Sequence, residues 1–226
     1  MSRQLVLIHT VPPLVDVFTR LGVELLPGVK LHHILDEPMI ERVRRRGALA
    51  PEDAARLATH VEAARQIGAD AVLVTCSTVS PCVDTIRDTA PIPVLKIDEA
   101  MIAKAVRLGT RIGVIATSRT TLEPTRGLLE AEAARAGKSL QVELVFVDEA
   151  LPALLAGSGE THDRLVADAV MALAERKDVV VLAQASMARV LSVIPEDARA
   201  VPILSSPHLA LAQARRLLAS GEPTEV

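Results

Sequence analysis

Aromatic residues are nearly missing from this chain of 226 residues: it has two phenylalanines, Phe18 and Phe146, and neither tryptophan nor tyrosine. A platform for single-stranded nucleic acid needs aromatic faces for stacking and a basic groove. The first is absent, and a net charge of −3 gives no sign of the second. A large aromatic-lined pocket is disfavoured for the same reason, leaving small polar ligands. Two cysteines, Cys76 and Cys82, do not make a disulfide framework for a chain this long. The first apolar run, Leu5–Ile8, is too short for a secretory signal. The most apolar later stretch, Val179–Ile194, is interrupted by Gln184 and Arg189 and falls short of a membrane span. The expectation is a cytoplasmic protein with neither nucleic acid nor membrane as partner. Neither G-x-G-x-x-G nor G-x-x-x-x-G-K-[ST] occurs, which weakens any nucleotide reading. The six histidines, His9, His32, His33, His60, His162 and His208, form no spaced ligand cluster, so no metal is expected. His32 and His33 are adjacent in an expected strand and point to opposite faces.

What is present is apolar and periodic. Half of the residues are hydrophobic, and a folded chain of this size buries roughly 70–75% of its surface. The β-branched runs Leu5–Ile8, Val72–Val74, Val94–Ile97, Ile112–Ile115, Leu144–Val147, Val179–Leu182 and Ile203–Leu204 suit strands covered on both faces, as in a parallel sheet. Amphipathic helical patterns alternate with them, among them Pro51–Ile67, Leu122–Ala136 and Asp163–Glu175. That alternation indicates an α/β fold. The basic run Arg42–Arg46 reads as a solvated helix face.

At about 150 residues per domain the length gives roughly 1.5 domains, and an internal repeat accounts for the fraction. D-A-V-L-V-T-C-S-T-V at 70–79 overlays D-V-V-V-L-A-Q-A-S-M at 178–187, and L-V-L-I-H-T at 5–10 overlays I-G-V-I-A-T at 112–117. P-V-L at 93–95 overlays P-I-L at 202–204, and L-D-E at 35–37 overlays V-D-E at 147–149. The offsets are 108, 107, 109 and 112 residues, in one order along the chain. Any α/β chain shows strand-on-strand likeness at some offset, but four collinear anchors point to duplication. The expected architecture is two pseudo-symmetric half-domains, each a four-stranded parallel sheet flanked by helices. One lobe holds residues 1–98 plus 206–226 and the other 99–205, with the active site in the cleft between them.

Ligands of open parallel sheets bind beyond the carboxyl ends of the strands. In the first half those ends deliver His9 and Thr10, then Cys76, Ser77 and Thr78. In the second they deliver Thr117 and Ser118, then Gln184 and Ser186, then His208 after the last strand. Cys76 is the candidate for chemistry. Ser80 and Pro81 open a helix just after it, and the positive end of a helix dipole favours thiolate. A free thiol titrates near 8.5, so a modest depression makes it a base near neutrality. The competing reading is a buried structural cysteine, which is the reading preferred for Cys82. The hydroxyls of Thr10, Ser77, Thr78, Thr117, Ser118 and Thr121, with Ser186, are candidates for holding a carboxylate. They also suit helix caps, Thr120-x-x-Glu123 being a capping-box pattern. His9 and His208 are candidate acid/base groups.

With these residues in view, D-A-V-L-V-T-C-S-T, I-G-V-I-A-T and V-V-V-L-A-Q-A-S-M-A resemble the aspartate/glutamate/hydantoin racemase superfamily over essentially the whole chain. The resemblance implies cofactor-independent proton transfer beside a carboxylate, a small carboxylate or amino acid as substrate, and a homo-oligomer. Members place one cysteine on each lobe; one removes the α-proton and the other returns it to the opposite face. Here the first cysteine is Cys76, but the second position, usually L-G-C-[TA], reads Leu182-Ala183-Gln184-Ala185. A glutamine amide carries no titratable proton at working pH. Three readings follow: a racemase or epimerase using Cys76 with another acid, a one-cysteine decarboxylase, cis–trans isomerase or other lyase, and a non-catalytic carboxylate-binding protein.

Overall fold

A computed structural model describes residues 2–220. Eight strands alternate with nine helices among them: β1 (Gln4–His9), α1 (Pro13–Leu25), β2 (Lys30–Leu35), α2 (Glu37–Arg46), α3 (Pro51–Gln66), β3 (Ala71–Val74), α4 (Pro81–Ile86), β4 (Val94–Lys96), α5 (Glu99–Leu108), β5 (Arg111–Ala116), α6 (Arg119–Arg135), β6 (Gln141–Phe146), α7 (Ala150–Leu155), α8 (Gly159–Ala174), β7 (Val179–Leu182), β8 (Ile203–Ser205) and α9 (Ser206–Ser220). The chain forms two compact units. One runs to Ile97 and resumes at Pro207; the other is Asp98–Ser206. Each holds one four-stranded, all-parallel sheet, in the orders β2-β1-β3-β4 and β6-β5-β7-β8. The two orders are the same order, as a duplicated unit requires.

The repeat extends to individual hydrogen bonds. Val72 N–H donates to Pro93 C=O at 2.9 Å, and Val180 N–H donates to Pro202 C=O at 3.0 Å. The aspartate before the third strand of each unit staples the start of the first. Asp70 accepts from the Gln4 amide and the Arg3 guanidinium at 2.7 and 2.6 Å. Asp178 accepts from the Thr110 and Arg111 amides at 3.0 and 2.8 Å and from the Arg111 guanidinium at 2.7 Å. These donors hold the Asp178 carboxyl down to about 2, the Arg111 amide foremost.

In the first unit Val6, Ile8, Val72 and Val74 pack with Met39, Val43, Leu57, Val61 and Val83 from the helices on one face. The alternate residues of β1 face the other way, and the His9 ring lies 5.6 Å from that of Phe18 on α1. In the second unit Ile115, Val180 and Leu182 pack with Val166, Val170 and Leu173 of α8. Burying chains of this size gains about 1.5–3 kcal/mol each, so the β-branched runs supply the framework on which the strand ends stand.

Some details depart from the expectations. α6 begins at Arg119 with Ser118 at its N-cap position, so Thr120 lies inside the first turn and the Thr120–Glu123 pattern is not a capping box. The helix also runs through Pro124. The basic face of α2 is only partly solvated: Arg42 and Arg46 both pair with Asp53 of α3, whose side chain is wholly buried. Among the described residues no helix is long and apolar enough to cross a membrane.

Candidate functional site

Chemistry-bearing residues stand at the carboxyl ends of the strands in each unit. In the first unit Cys76 follows β3, is free and is half-buried. Its backbone carbonyl accepts from the Val79 and Ser80 amides at 3.2 and 2.9 Å, folding residues 76–80 into a tight turn. Ser80 takes the N-cap position of α4 but makes no side-chain capping bond, and Pro81 opens the helix. α4 is six residues long. Cys82, inside α4, is 4% exposed. Burial above all, then the charge of Asp53, pushes its thiol up to about 11.

Two hydroxyls beside Cys76 differ from the rest. Thr10, just past β1, is 1% exposed, and Ser77 is 6% exposed. The oxygens of both are buried without a hydrogen-bond partner. A buried hydroxyl left so costs about 1–3 kcal/mol, and such groups mark places where something else completes the bonding. β1 and β3 are adjacent strands, so the two orphaned hydroxyls belong to neighbouring strand ends. Thr78 is also buried, at 6%.

His9 is fully engaged. Thr75 Oγ1 donates to the Ile8 carbonyl at 3.0 Å, so it accepts from His9 Nδ1 at 2.8 Å. His9 Nε2 then accepts from His33 Nδ1 at 2.9 Å. Burial, and secondarily His33, lowers the His9 pKa to about 4, and burial lowers that of His33 as well. His9 is thus a neutral, doubly bonded core histidine. His32 points to the opposite face and bonds Gln4. His208 is exposed in the first turn of α9, in this same unit. Just past β2, Asp36 accepts from the Met39 amide at 3.2 Å, capping α2, and from Arg56 and His60 of α3.

In the second unit the ends of β5 and β7 are closed on each other, whereas the Ser206 hydroxyl, just past β8, is buried without a partner. Gln184 Oε1 accepts from the Thr117 amide at 2.6 Å, the Ser118 amide at 3.1 Å and the Thr117 hydroxyl at 3.2 Å. Ser118 Oγ lies 3.0 Å from Thr120 Oγ1. Thr121 is buried and its amide donates to the Ser118 carbonyl at 3.1 Å. Ser186 is half-buried in the 3-10 turn Ala185–Ser192. Arg119, at the start of α6, lies over the Phe146 ring, 4.1 Å from its centre.

Two features escaped the reading of the sequence. The His9–His33 bond joins β1 to β2, and only their register brings the rings together. His162, wholly buried, bonds Asp163 at 2.8 Å, and Arg189 holds the same carboxylate at 2.9 Å. The adjacent pair His162-Asp163 was its one available signal. Among the described residues no three His, Cys, Asp or Glu side chains gather as a metal site.

The family model for Asp/Glu/Hydantoin racemase matches residues 18–214. Allantoin racemase from Klebsiella pneumoniae superimposes with a TM-score of 0.74 at 22% identity, covering 99% of this chain and 91% of that one. A glutamate racemase isoform from Bacillus anthracis gives 0.71 at 16% identity, covering 96% and 82%. The aspartate racemase of Picrophilus torridus gives 0.69 at 12% identity, covering 97% and 94%. At these identities the likeness is one of fold. No curated protein sequence matches the chain.

Proposed function

The chain belongs to the Asp/Glu/hydantoin racemase family, and from that membership we propose that it is a cofactor-independent isomerase transferring a proton at the carbon beside a carboxylate, with Cys76 as thiolate base. Its substrate is a small amino acid or carboxylate. The observation that carries the reading is the half-buried free thiol of Cys76 flanked by two buried hydroxyls, Thr10 and Ser77, that have no partner.

The chemistry follows from those groups. The thiolate takes the α-proton, and the electron pair left behind delocalises into the carboxylate as an enediolate. Hydroxyl donors already in place, with no protein acceptor to compete for them, stabilise the growing negative charge without reorganisation. Losing one such donor costs about 3 kcal/mol in transition-state stabilisation. Proton return from the opposite face needs a second carrier. Gln184 has no titratable proton, and both ring nitrogens of His9 are in use. We assign that role to His208, whose ring is exposed.

Incubation with a panel of amino acids and small carboxylates in D2O tests the proposal. The α-carbon of one of them should acquire deuterium, and Cys76→Ala should slow the exchange by about 10²–10⁴-fold. His208→Ala should preserve exchange while reducing inversion.

Gln184 favours one alternative, a one-cysteine decarboxylase, cis–trans isomerase or lyase, because a carboxamide replaces the second thiol and its oxygen is already bonded. Cys76-dependent CO2 release or alkene isomerisation, without α-deuteration, would establish that reading instead. A ligand that binds and is always recovered unchanged would indicate a non-catalytic protein.

A further inference from the structure

A carboxamide oxygen has two lone pairs, and that of Gln184 takes three donors: the Thr117 and Ser118 amides and the Thr117 hydroxyl. Consecutive backbone N–H groups converging with a hydroxyl on one point form a nest suited to an oxyanion. In this unit the oxygen at that point belongs to the protein. The corresponding place in the first unit is the reverse. Thr10 is the repeat counterpart of Thr117 and Cys76 that of Gln184, and there the Thr10 hydroxyl is buried without a partner. The same strand-end chemistry is thus filled from within in one unit and unfilled in the other.

The filling is hard to displace. A side chain tethered beside its partners acts at an effective concentration of millimolar order or above. A dissolved carboxylate making the same three bonds competes against that local excess, although its own bonds are charge-assisted and stronger one for one. Replacing the glutamine by cysteine or alanine would expose three donors with nothing bound to them.

We infer that Gln184 is a built-in ligand that closes the oxyanion nest of the second unit, so that the nest takes no carboxylate from solution while the glutamine is in place. This inference does not rest on the proposed function. Gln184 then decides whether the nest binds an anion: with it the donors are occupied, and without it they are open.

Amide resonances of the ¹⁵N-labelled full chain, titrated with acetate, test closure. In the wild type the Thr117 and Ser118 signals should stay fixed. In Gln184→Ala, and in Gln184→Met, which restores volume without an acceptor, they should move and saturate. In Gln184→Glu they should start from shifted positions and stay fixed, the nest now holding the chain's own carboxylate. Movement in the wild type matching that in the variants, silence in folded Ala and Met variants, or movement in the Glu variant each overturns closure. The Thr10 and Ser77 signals report separately on the proposed carboxylate site.

Discussion

Replacing Asp36 by asparagine should destabilise the protein by about 2 kcal/mol near neutrality, and by progressively less as the pH falls. Asp36 is 2% exposed and joins three elements: it directly follows β2, caps α2 through the Met39 amide, and receives Arg56 and His60 from α3. Although burial alone would raise the carboxyl, its bonds to Arg56 and His60 prevail and hold it from the ordinary 3.8 down to about 2. A depression of that size corresponds to about 2.5 kcal/mol of stability in favour of the ionised form. The Arg56 side chain is 40% exposed, and solvent screening trims its share. The cap itself is worth about 1 kcal/mol, but asparagine retains much of it. The sign follows from the direction of the shift. A carboxyl lowered by folding stabilises fully above its unfolded pKa, and that contribution fades as the pH drops toward the folded one. Asparagine imitates the protonated acid, so the difference from wild type should shrink to about half by pH 3. Urea denaturation at a series of pH values between 7 and 3 measures this directly. A difference that stays constant over that range would refute the electrostatic account and leave packing as the cause.

Three further outcomes are expected. Gly113 lies in β5, where an added Cβ would stand 2.8 Å from Leu173 Cδ1 and 3.3 Å from its Cγ and Cδ2. Because Leu173 is itself core, Gly113→Ala should cost about 2 kcal/mol by urea denaturation. The cost should fall when combined with Leu173→Ala, and strict additivity would contradict the contact. The folded pKa of His9, about 4, lies below its ordinary 6.5, so the neutral ring stabilises fully above 6.5 and that stability drains away as the pH falls toward 4. The slope approaches about 1.4 kcal/mol per pH unit within that window. His9→Gln should flatten the profile, and an unchanged slope would show that another group causes it. Finally, a disulfide reagent should modify Cys76 in the native protein and reach Cys82 only on unfolding, given their unequal exposure. Two fast-reacting thiols in the wild type, or one persisting in Cys76→Ser, would contradict the burial of Cys82.

The fold was legible in the sequence because its determinants are local and repeated. Continuous Val, Ile and Leu runs mark strands buried on both faces, and the collinear anchors imply that the sheet one half builds the other builds too. The boundaries are less so. The pattern Thr120-x-x-Glu123 spells a helix start, yet α6 begins at Arg119, directly after Ser118. β5 ends at Ala116, and Ser118, not Thr120, takes the N-cap position. Cys76 was legible as a candidate for the same reason as the strands, through its place at the end of a recognisable run. What no periodicity contains is a bond between distant strand ends. His9 meets His33 through the register of β1 and β2, and Gln184 meets Thr117 and Ser118 across 67 and 66 residues of chain. Spacing along the sequence carries no trace of such contacts.

The duplicated halves therefore separate two kinds of constraint. Asp70 and Asp178 staple equivalent strands in equivalent ways, because a parallel sheet needs its first strand started correctly in either unit. Cys76 and Gln184 follow equivalent strands as well, and nothing about the sheet requires them to differ. Each is compatible with the turn it occupies: Cys76 through its backbone carbonyl, Gln184 through a side-chain oxygen that binds the neighbouring strand end. The thiol is left with its chemistry uncommitted, whereas the carboxamide has spent its acceptor on the protein. Where a repeat keeps its scaffold and changes one strand-end residue, the sheet does not account for the change; here it leaves one strand end with a free thiol and the other with a carboxamide bonded to its neighbour.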